Sequence, residues 1–246
     1  MLKAGLAKVD ITPPVGTIMG GYRRRQKRAV GIHDPLYAKA LVIDNGSTQV
    51  AIVTTDLLNI YKEWVERVRK IVADSTTIPS EHILICASHT HSGPDTLLLF
   101  DEKISSSWID TLCQKLSEVI YSAWENRKKA RIGVTTGYLD SISFNRRIKT
   151  KDKGIRLNLE KIKEEEILER GPIDPEVGII YIDVPADGFS GVLFNFTCHP
   201  TVLGEDNLLL SADYPGYAMN LVERRAGKET IALFTNGALG DINQIK

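Results

Sequence analysis

Apolar residues along this chain fall into short dense runs, separated by longer stretches in which they recur every three or four positions. The dense runs are 37–43 (YAKALVI), 50–55 (VAIVTT), 83–88 (ILICAS), 131–138 (RIGVTTGY), 177–184 (VGIIYIDV), 191–198 (GVLFNFTC) and 230–236 (TIALFTN). Their β-branched and aromatic content predicts strands. Of the periodic stretches, 61–75 places Trp64, Val65, Val68, Ile71 and Val72 on one helical face. The stretch 106–129 repeats the pattern with Ile109, Leu112, Leu116, Ile120 and Trp124. A third, 214–227, follows Asp213 as N-cap, has Pro215 in its first turn and Gly227 past its end.

Strands alternating with helices predict an α/β fold, a mixed β-sheet layered with helices, in a single domain over residues 1–246. That length is ample for a substantial core. Residues 148–175 are the poorest in apolar side chains and predict an exposed excursion or flap rather than a linker. No repeat and no low-complexity segment interrupts the pattern.

Thirty-one basic residues balance 31 acidic ones, so the net charge points to neither nucleic acid nor an anionic membrane as partner. The local run Tyr22–Arg28 (YRRRQKR) reads as a solvated loop rather than a phosphate grip. Three cysteines, Cys86, Cys113 and Cys198, are too few and too scattered for a disulfide framework. Cys86 and Cys198 lie in apolar runs and read as buried, inert thiols. The first residues lack the apolar stretch of a signal peptide, and no segment approaches a transmembrane span. The expected location is cytoplasmic.

Several strands end in compact polar chemistry. The run 50–55 leads into Asp56, 83–88 into His89 and His91, 191–198 into His199, and 230–236 into Asp241. Ligands in open α/β sheets sit at strand carboxyl ends, because the loops there line a crevice. Neutral imidazoles with carboxylates are a usual donor set for zinc. A His-x-His pair alone can simply bond neighbouring backbone; a third histidine at another strand end tips the balance toward a metal. His82 reads as exposed, and His33 either reaches the same crevice or caps a turn. Ser92 lacks the strand–elbow–helix setting of an activated serine and reads as a turn residue.

Taken in order, AGLAKVDITPPVG, MGGY, GIHDPLYAKALVI, TTDL, ASHTHSGP, FNRR, NFTCHPT, SADYPGYA and TNGALGDIN resemble the neutral/alkaline non-lysosomal ceramidases and their microbial relatives. The similarity extends across essentially the whole chain. It implies a zinc-dependent hydrolase cleaving a C–N amide bond, with one zinc per chain in the full-length protein. It carries the ligand role to His89 and His199, and places His91 beside the substrate oxygen. Arg146, which follows Asn145, matches the arginine that contacts the reacting group. Zinc would polarise the carbonyl or activate water, while Arg146 and His91 stabilise the oxyanion.

Two departures from the family pattern matter. The family's serine, which takes part directly in amide cleavage, is replaced in GDINQIK by Asn243. An amide side chain is no nucleophile, so the expectation shifts to metal-activated water, with Asn243 orienting water or substrate. The family's remaining zinc ligands, a Glu and a Tyr, come from sequence beyond Lys246. The expectation is a truncated N-terminal part of the catalytic domain that holds zinc poorly; otherwise Asp56, Asp213 or Asp241 completes a different site. The expected partner is a small-molecule amide, lipid-like at one extreme and smaller or more polar at the other. The competing readings are a non-catalytic binding protein with a degenerate site, and a metal-dependent esterase or phosphoesterase.

Overall fold

The computed structural model describes residues 1–98, 105–157, 162–185, 189–227 and 230–245. Strands β1 (Lys3–Asp10), β2 (Gly31–Ile32), β3 (Tyr37–Asp44) and β4 (Gln49–Thr55) precede helix α1 (Lys62–Ser75). Strand β5 (Ile83–Ala87) leads to α2 (Ser106–Glu125), and β6 (Lys128–Lys129) and β7 (Arg131–Tyr138) follow. Next come β8 (Ser143–Asn145), β9 (Arg147–Thr150), β10 (Gly154–Leu157), β11 (Ile167–Arg170) and β12 (Glu176–Val184). Strands β13 (Phe189–Phe196) and β14 (Leu209–Leu210), helix α3 (Asp213–Ala226), β15 (Ile231–Asn236) and β16 (Ile242–Gln244) complete the order.

Two main sheets stack face to face. One runs β5-β4-β3-β1-β6, the other β15-β13-β12-β7. Period-2 alternation assigns each strand's two faces. On β3, Ala38, Ala40 and Val42 face the helices and pack with Val68 and Val72 of α1 and Leu112, Leu116 and Ile120 of α2. The intervening Leu41 faces the other way and joins Leu6, Ile182, Leu193, Ile231 and Leu233 between the sheets. The far face of the second sheet carries Phe196, Ala232 and Phe234 against Met219 of α3. The layers are therefore helix, sheet, sheet, helix. Each main sheet is mixed: β4 and β5 are parallel in the first, β13 and β15 in the second, and the remaining pairs are antiparallel.

All seven expected strands are present with ends moved by at most two residues. Strand β1 was not expected. Its sequence, KAGLAKVD, is poor in β-formers, and tertiary fit makes the strand. Gly5 lies under α2, where an added Cβ would collide with the Ala123 carbonyl, while Ala4 and Leu6 fill the space between the sheets. The 106–129 helix ends at Glu125, and Lys128–Lys129 instead pairs with β1. Ile71 faces outward rather than joining the buried stripe of α1. The excursion 148–175 is exposed, as expected, and forms its own sheet in the order β10-β9-β11; its residues 158–161 lie outside the described residues, as does Lys246. Asp213 is not an N-cap but the first residue of α3, in the left-handed region at φ 57°. Its carboxylate accepts N–H groups from Val202, Leu203 and Tyr214 at 3.2, 3.1 and 2.7 Å, so it ties the loop after His199 to the helix start. No described helix is long and apolar enough to cross a membrane.

One buried ion pair fastens the layers. Lys39, 3% exposed on β3, donates to Glu223 of α3 at 2.7 Å and to the Ala232 carbonyl of β15 at 2.9 Å. Burial pushes the Glu223 carboxyl up, but Lys39 overrides that effect and holds it below its ordinary value. Breaking a buried pair costs about 3–5 kcal/mol, and here the low end applies, because Glu223 keeps Lys8 at 3.3 Å and the Ala232 N–H at 3.0 Å. Lys39→Met is expected to lose about 3 kcal/mol in urea denaturation, and Lys39→Met combined with Glu223→Gln to regain most of it. A single variant within experimental error of the parent would show that the pair is not the fastening.

Candidate metal centre

The parallel pairing of β4 with β5 and of β13 with β15 brings two strand carboxyl ends, one from each sheet, to the same side. Past β5 the backbone stays pinned: Ser88 donates to the Thr55 carbonyl at 2.8 Å and His89 to the Leu57 carbonyl at 2.9 Å. His89 then adopts φ 68°, a left-handed conformation that turns the chain out of the strand direction. That conformation costs a non-glycine residue about 1–2 kcal/mol, and such strain is tolerated where surrounding contacts over-determine it. Thr90, fully buried, donates its hydroxyl to the Ser211 carbonyl at 2.8 Å. The His91 N–H donates to the Pro200 carbonyl at 3.2 Å, which ties this loop directly to the one carrying His199. His199 itself donates its N–H to the Ile242 carbonyl at 2.9 Å.

The result is a triangle of imidazoles. Ring centroids lie 5.0 Å apart for His89–His91, 5.1 Å for His89–His199 and 5.4 Å for His91–His199, every pair edge to face. One nitrogen from each ring lies within 4.8 Å of the other two. His89 Nδ1 is 2.7 Å from the Leu58 carbonyl and His199 Nδ1 is 2.8 Å from the Leu239 carbonyl. A carbonyl only accepts, so both Nδ1 atoms carry the proton and both Nε2 atoms present a lone pair. His91 differs: both of its ring nitrogens are buried without a hydrogen-bond partner.

Burial lowers the pKa of His89. Burial, then the neighbouring His89 and His199, then Arg25 and Arg146, take His91 down to about 3. His199 falls to about 4, through burial first and His89 next. All three rings are therefore neutral at ordinary pH, the form in which imidazole binds a metal. Three neutral, converging imidazoles, two held by backbone carbonyls and one with orphaned nitrogens, fit a borderline divalent ion such as zinc.

Asn243 lies in the antiparallel pair β8–β16, and Arg146 directly follows β8. The Arg146 side chain donates to the Gly240 carbonyl at 2.7 Å, and its backbone N–H to the Asp241 carbonyl at 2.8 Å. Its positive charge is near enough to depress both His91 and His199. Asn243 follows Ile242, whose carbonyl receives the His199 N–H, and its Oδ1 is buried without a partner.

The expected convergence of carboxylates does not occur. Among the described residues the metal-compatible group consists of the three histidines alone. Asp56 is buried behind its strand, where it accepts the Tyr37 N–H at 2.9 Å and burial raises its pKa to about 7. Asp241 accepts from the Asn145 side chain at 3.2 Å, and Asp213 is committed to the backbone donors described above. His33 is exposed and pairs with Asp34 at 2.7 Å in a turn. His82 is half-buried rather than exposed, with its Nδ1 bonded to the Gln49 carbonyl at 3.0 Å. Ser92 lies in a turn and accepts from Asn207 at 3.0 Å.

Two residues at the site escaped sequence reasoning. Arg25, from the basic run expected to be solvated, is only 3% exposed, and Tyr22 sets its ring edge against His91 at 4.9 Å. Nothing in a run of cations marks the one that turns inward. A cavity of about 640 Å³ lies elsewhere, between Ile11, Pro14 and Ile18 on one side and Trp108, Leu112 and Lys115 on the other. None of the three histidines lines it, and the donor chemistry identifies the site more firmly than size does.

A family model described as neutral/alkaline non-lysosomal ceramidase, N-terminal, matches residues 2–244. Neutral ceramidase A of Dictyostelium discoideum is 28% identical over 263 residues, covering 97% of this chain and 35% of its own length. The neutral ceramidase of Pseudomonas aeruginosa is 25% identical over 259 residues, covering 97% of this chain and 36% of its own. The crystal structure of a Pseudomonas aeruginosa neutral ceramidase superposes with a TM-score of 0.81 at 23% identity, covering 99% of this chain and 39% of that one. On a match that takes in nearly every residue, the chain belongs to the neutral/alkaline non-lysosomal ceramidase family, and it spans about a third of the length of the curated relatives it matches.

Proposed function

We propose that the protein hydrolyses the C–N bond of an N-acyl amide at a zinc centre held by His89 and His199, with His91, Arg146 and Asn243 on the substrate side. The observation that carries this reading is the difference among the three rings. His89 and His199 have Nδ1–H groups committed to backbone carbonyls, the usual support of a metal-binding imidazole. His91 lacks that support, and both of its nitrogens are free to meet substrate. Membership in a family whose named relatives are ceramidases supports an amide as the bond cleaved.

A zinc ion there supplies Lewis acidity, which activates water or polarises an amide carbonyl. The chain's own groups handle the charge that develops. His91, kept neutral by burial, donates an imidazole N–H to the carbonyl oxygen as it gains negative charge. Arg146, fixed through the Gly240 carbonyl, adds positive charge that needs no reorganisation during reaction. Asn243 cannot attack, but its unpaired Oδ1 accepts a hydrogen bond from the attacking water or from the substrate amide N–H. A two-metal phosphoesterase is less well supported, because it calls for carboxylates at the cluster and Asp56, Asp213 and Asp241 are engaged elsewhere.

A catalytic zinc takes about three protein ligands, and His91 is within reach of the same ion. Single substitutions separate the two roles of His91. In the full-length protein, equilibrium dialysis is expected to give about one zinc per chain, with His89→Ala and His199→Ala each losing the metal. His91→Ala is expected to keep the metal and lose about 10²–10³-fold in kcat on N-acyl amides. Loss of zinc from His91→Ala would make it the third ligand, and a full-length protein that never takes up zinc would overturn the hydrolase reading.

Arg146→Met tests the oxyanion role. It is expected to lower kcat/KM for N-acyl amides by about 10²-fold, with the zinc content unchanged. Activity within a factor of about two of the parent would place Arg146 outside the reacting centre.

A further inference from the structure

Arg25 is buried beside the cluster, yet the proposed reaction has no use for its charge. Taking a guanidinium out of water costs several kcal/mol unless its donors are satisfied. Arg25 meets most of that cost with backbone carbonyls: Nη2 donates to Gly20 and, at 2.5 Å, to His91, and Nη1 donates to Asn207 at 3.2 Å, while Nε is buried without a partner. Those carbonyls belong to three separate loops. One carries Tyr22, one is the His-Thr-His loop after β5, and one precedes β14. A single planar fork therefore gathers the segments that surround His91.

The same side chain reaches the His91 ring by a second route. The guanidinium lies over the face of Tyr22, 4.9 Å from the ring centroid. Tyr22 in turn sets its edge against the His91 ring at 4.9 Å and 71°. Next to it, Gly21 adopts φ 94°, and a Cβ there would fall 2.6 Å from His91 Cγ. The ring thus rests on a glycine, is flanked by a tyrosine, and has its own carbonyl held by the arginine behind that tyrosine. His89 and His199 are aimed by Nδ1–H bonds to carbonyls, whereas His91 has no such bond. Something else must fix its direction.

We propose that Arg25, acting through Tyr22 and through the His91 carbonyl, is the positioning residue that aims the His91 imidazole into the cluster. This rests on the amide-hydrolase reading only for its effect on rate; the effect on ring orientation stands on the contacts alone. Lysine would not substitute, because an ammonium neither forks to three carbonyls nor lies flat against a tyrosine ring.

The test is NMR of the histidine-labelled protein, with the His91 ring signals assigned from His91→Ala. In R25M and R25K the His91 ring signals are expected to shift and broaden while those of His89 and His199 stay in place. Under the amide-hydrolase reading, kcat should fall by about 10²-fold with KM little changed. The NMR result stands even if no amide proves to be a substrate, so the two ideas fail separately. Unchanged His91 signals in a folded R25M overturn the proposal, and so do equal shifts of all three histidines, which would mark general loosening. If R25M does not fold, Y22L decides. A shift confined to His91 supports the proposal, and an unmoved His91 signal overturns it.

Discussion

The site depends on the apolar contact between the two sheets. Leu6 and Leu41 of the first sheet meet Leu193, Ile231 and Leu233 of the second across a dry interface. That contact holds β5 and β13, which share no hydrogen bonds, with their carboxyl ends on one side. The loop after β5 supplies His89 and His91, and the one after β13 supplies His199. The Pro200 carbonyl and the His91 N–H then join the two loops directly, so the imidazole triangle is a product of layer packing before it is a product of loop chemistry. The Lys39–Glu223 pair acts at the same level, linking β3 to α3 through the same stack.

The groups that act on His91 at that junction are cationic or potentially so. His89, His199, Arg25 and Arg146 all stand close enough to His91 to depress its protonation, and among the described residues no acid joins the three histidines as a metal-compatible group. A carboxylate there would raise the histidine pKa values and compete for their protons. Its absence from this cluster leaves neutral rings available well below pH 6, given His91 at about 3 and His199 at about 4. Such a setting favours whatever negative charge arises within it, either an anionic ligand or an oxyanion formed in the reaction. With Arg25 spent on backbone carbonyls and within reach of Glu205, the neutral imidazoles and Arg146 make the electrophilic side of the site.

Much of this was visible in the sequence because it rests on local pattern. Strands such as 191–198 carry their own β-propensity, and polar residues that break an apolar run mark the strand end. His89, His91 and His199 were found on that signal alone. The misreadings share one physical origin, which is that the deciding contact is distant in sequence. Strand β1 exists because α2 presses onto Gly5, although its own residues argue against a strand. Asp56 ends its strand as the histidines do, yet turns inward to the Tyr37 N–H. Arg25 sits among five other basic or polar neighbours, and only the carbonyls of Gly20, His91 and Asn207 separate it from them. Period and propensity report which residues face a core, not which cation a set of remote carbonyls will select.

Asn243 bears on how a family member can work without the serine expected at that position. A side-chain amide brings no nucleophile, so on the hydrolase reading the attacking oxygen must come from water. Water has to be aimed by groups with hydrogen-bonding capacity left over, and the buried atoms without partners include His91 Nδ1, His91 Nε2 and Asn243 Oδ1. Leaving a buried polar atom unpaired costs about 1–3 kcal/mol, and a fold retains that cost where a ligand or transition state relieves it. Asn243 directly follows Ile242, whose carbonyl anchors the His199 backbone, so the unmet acceptor sits on the same strand that holds a proposed ligand. The replacement of serine by asparagine then reads as a change in who delivers the oxygen, with the histidine geometry that receives the substrate left intact.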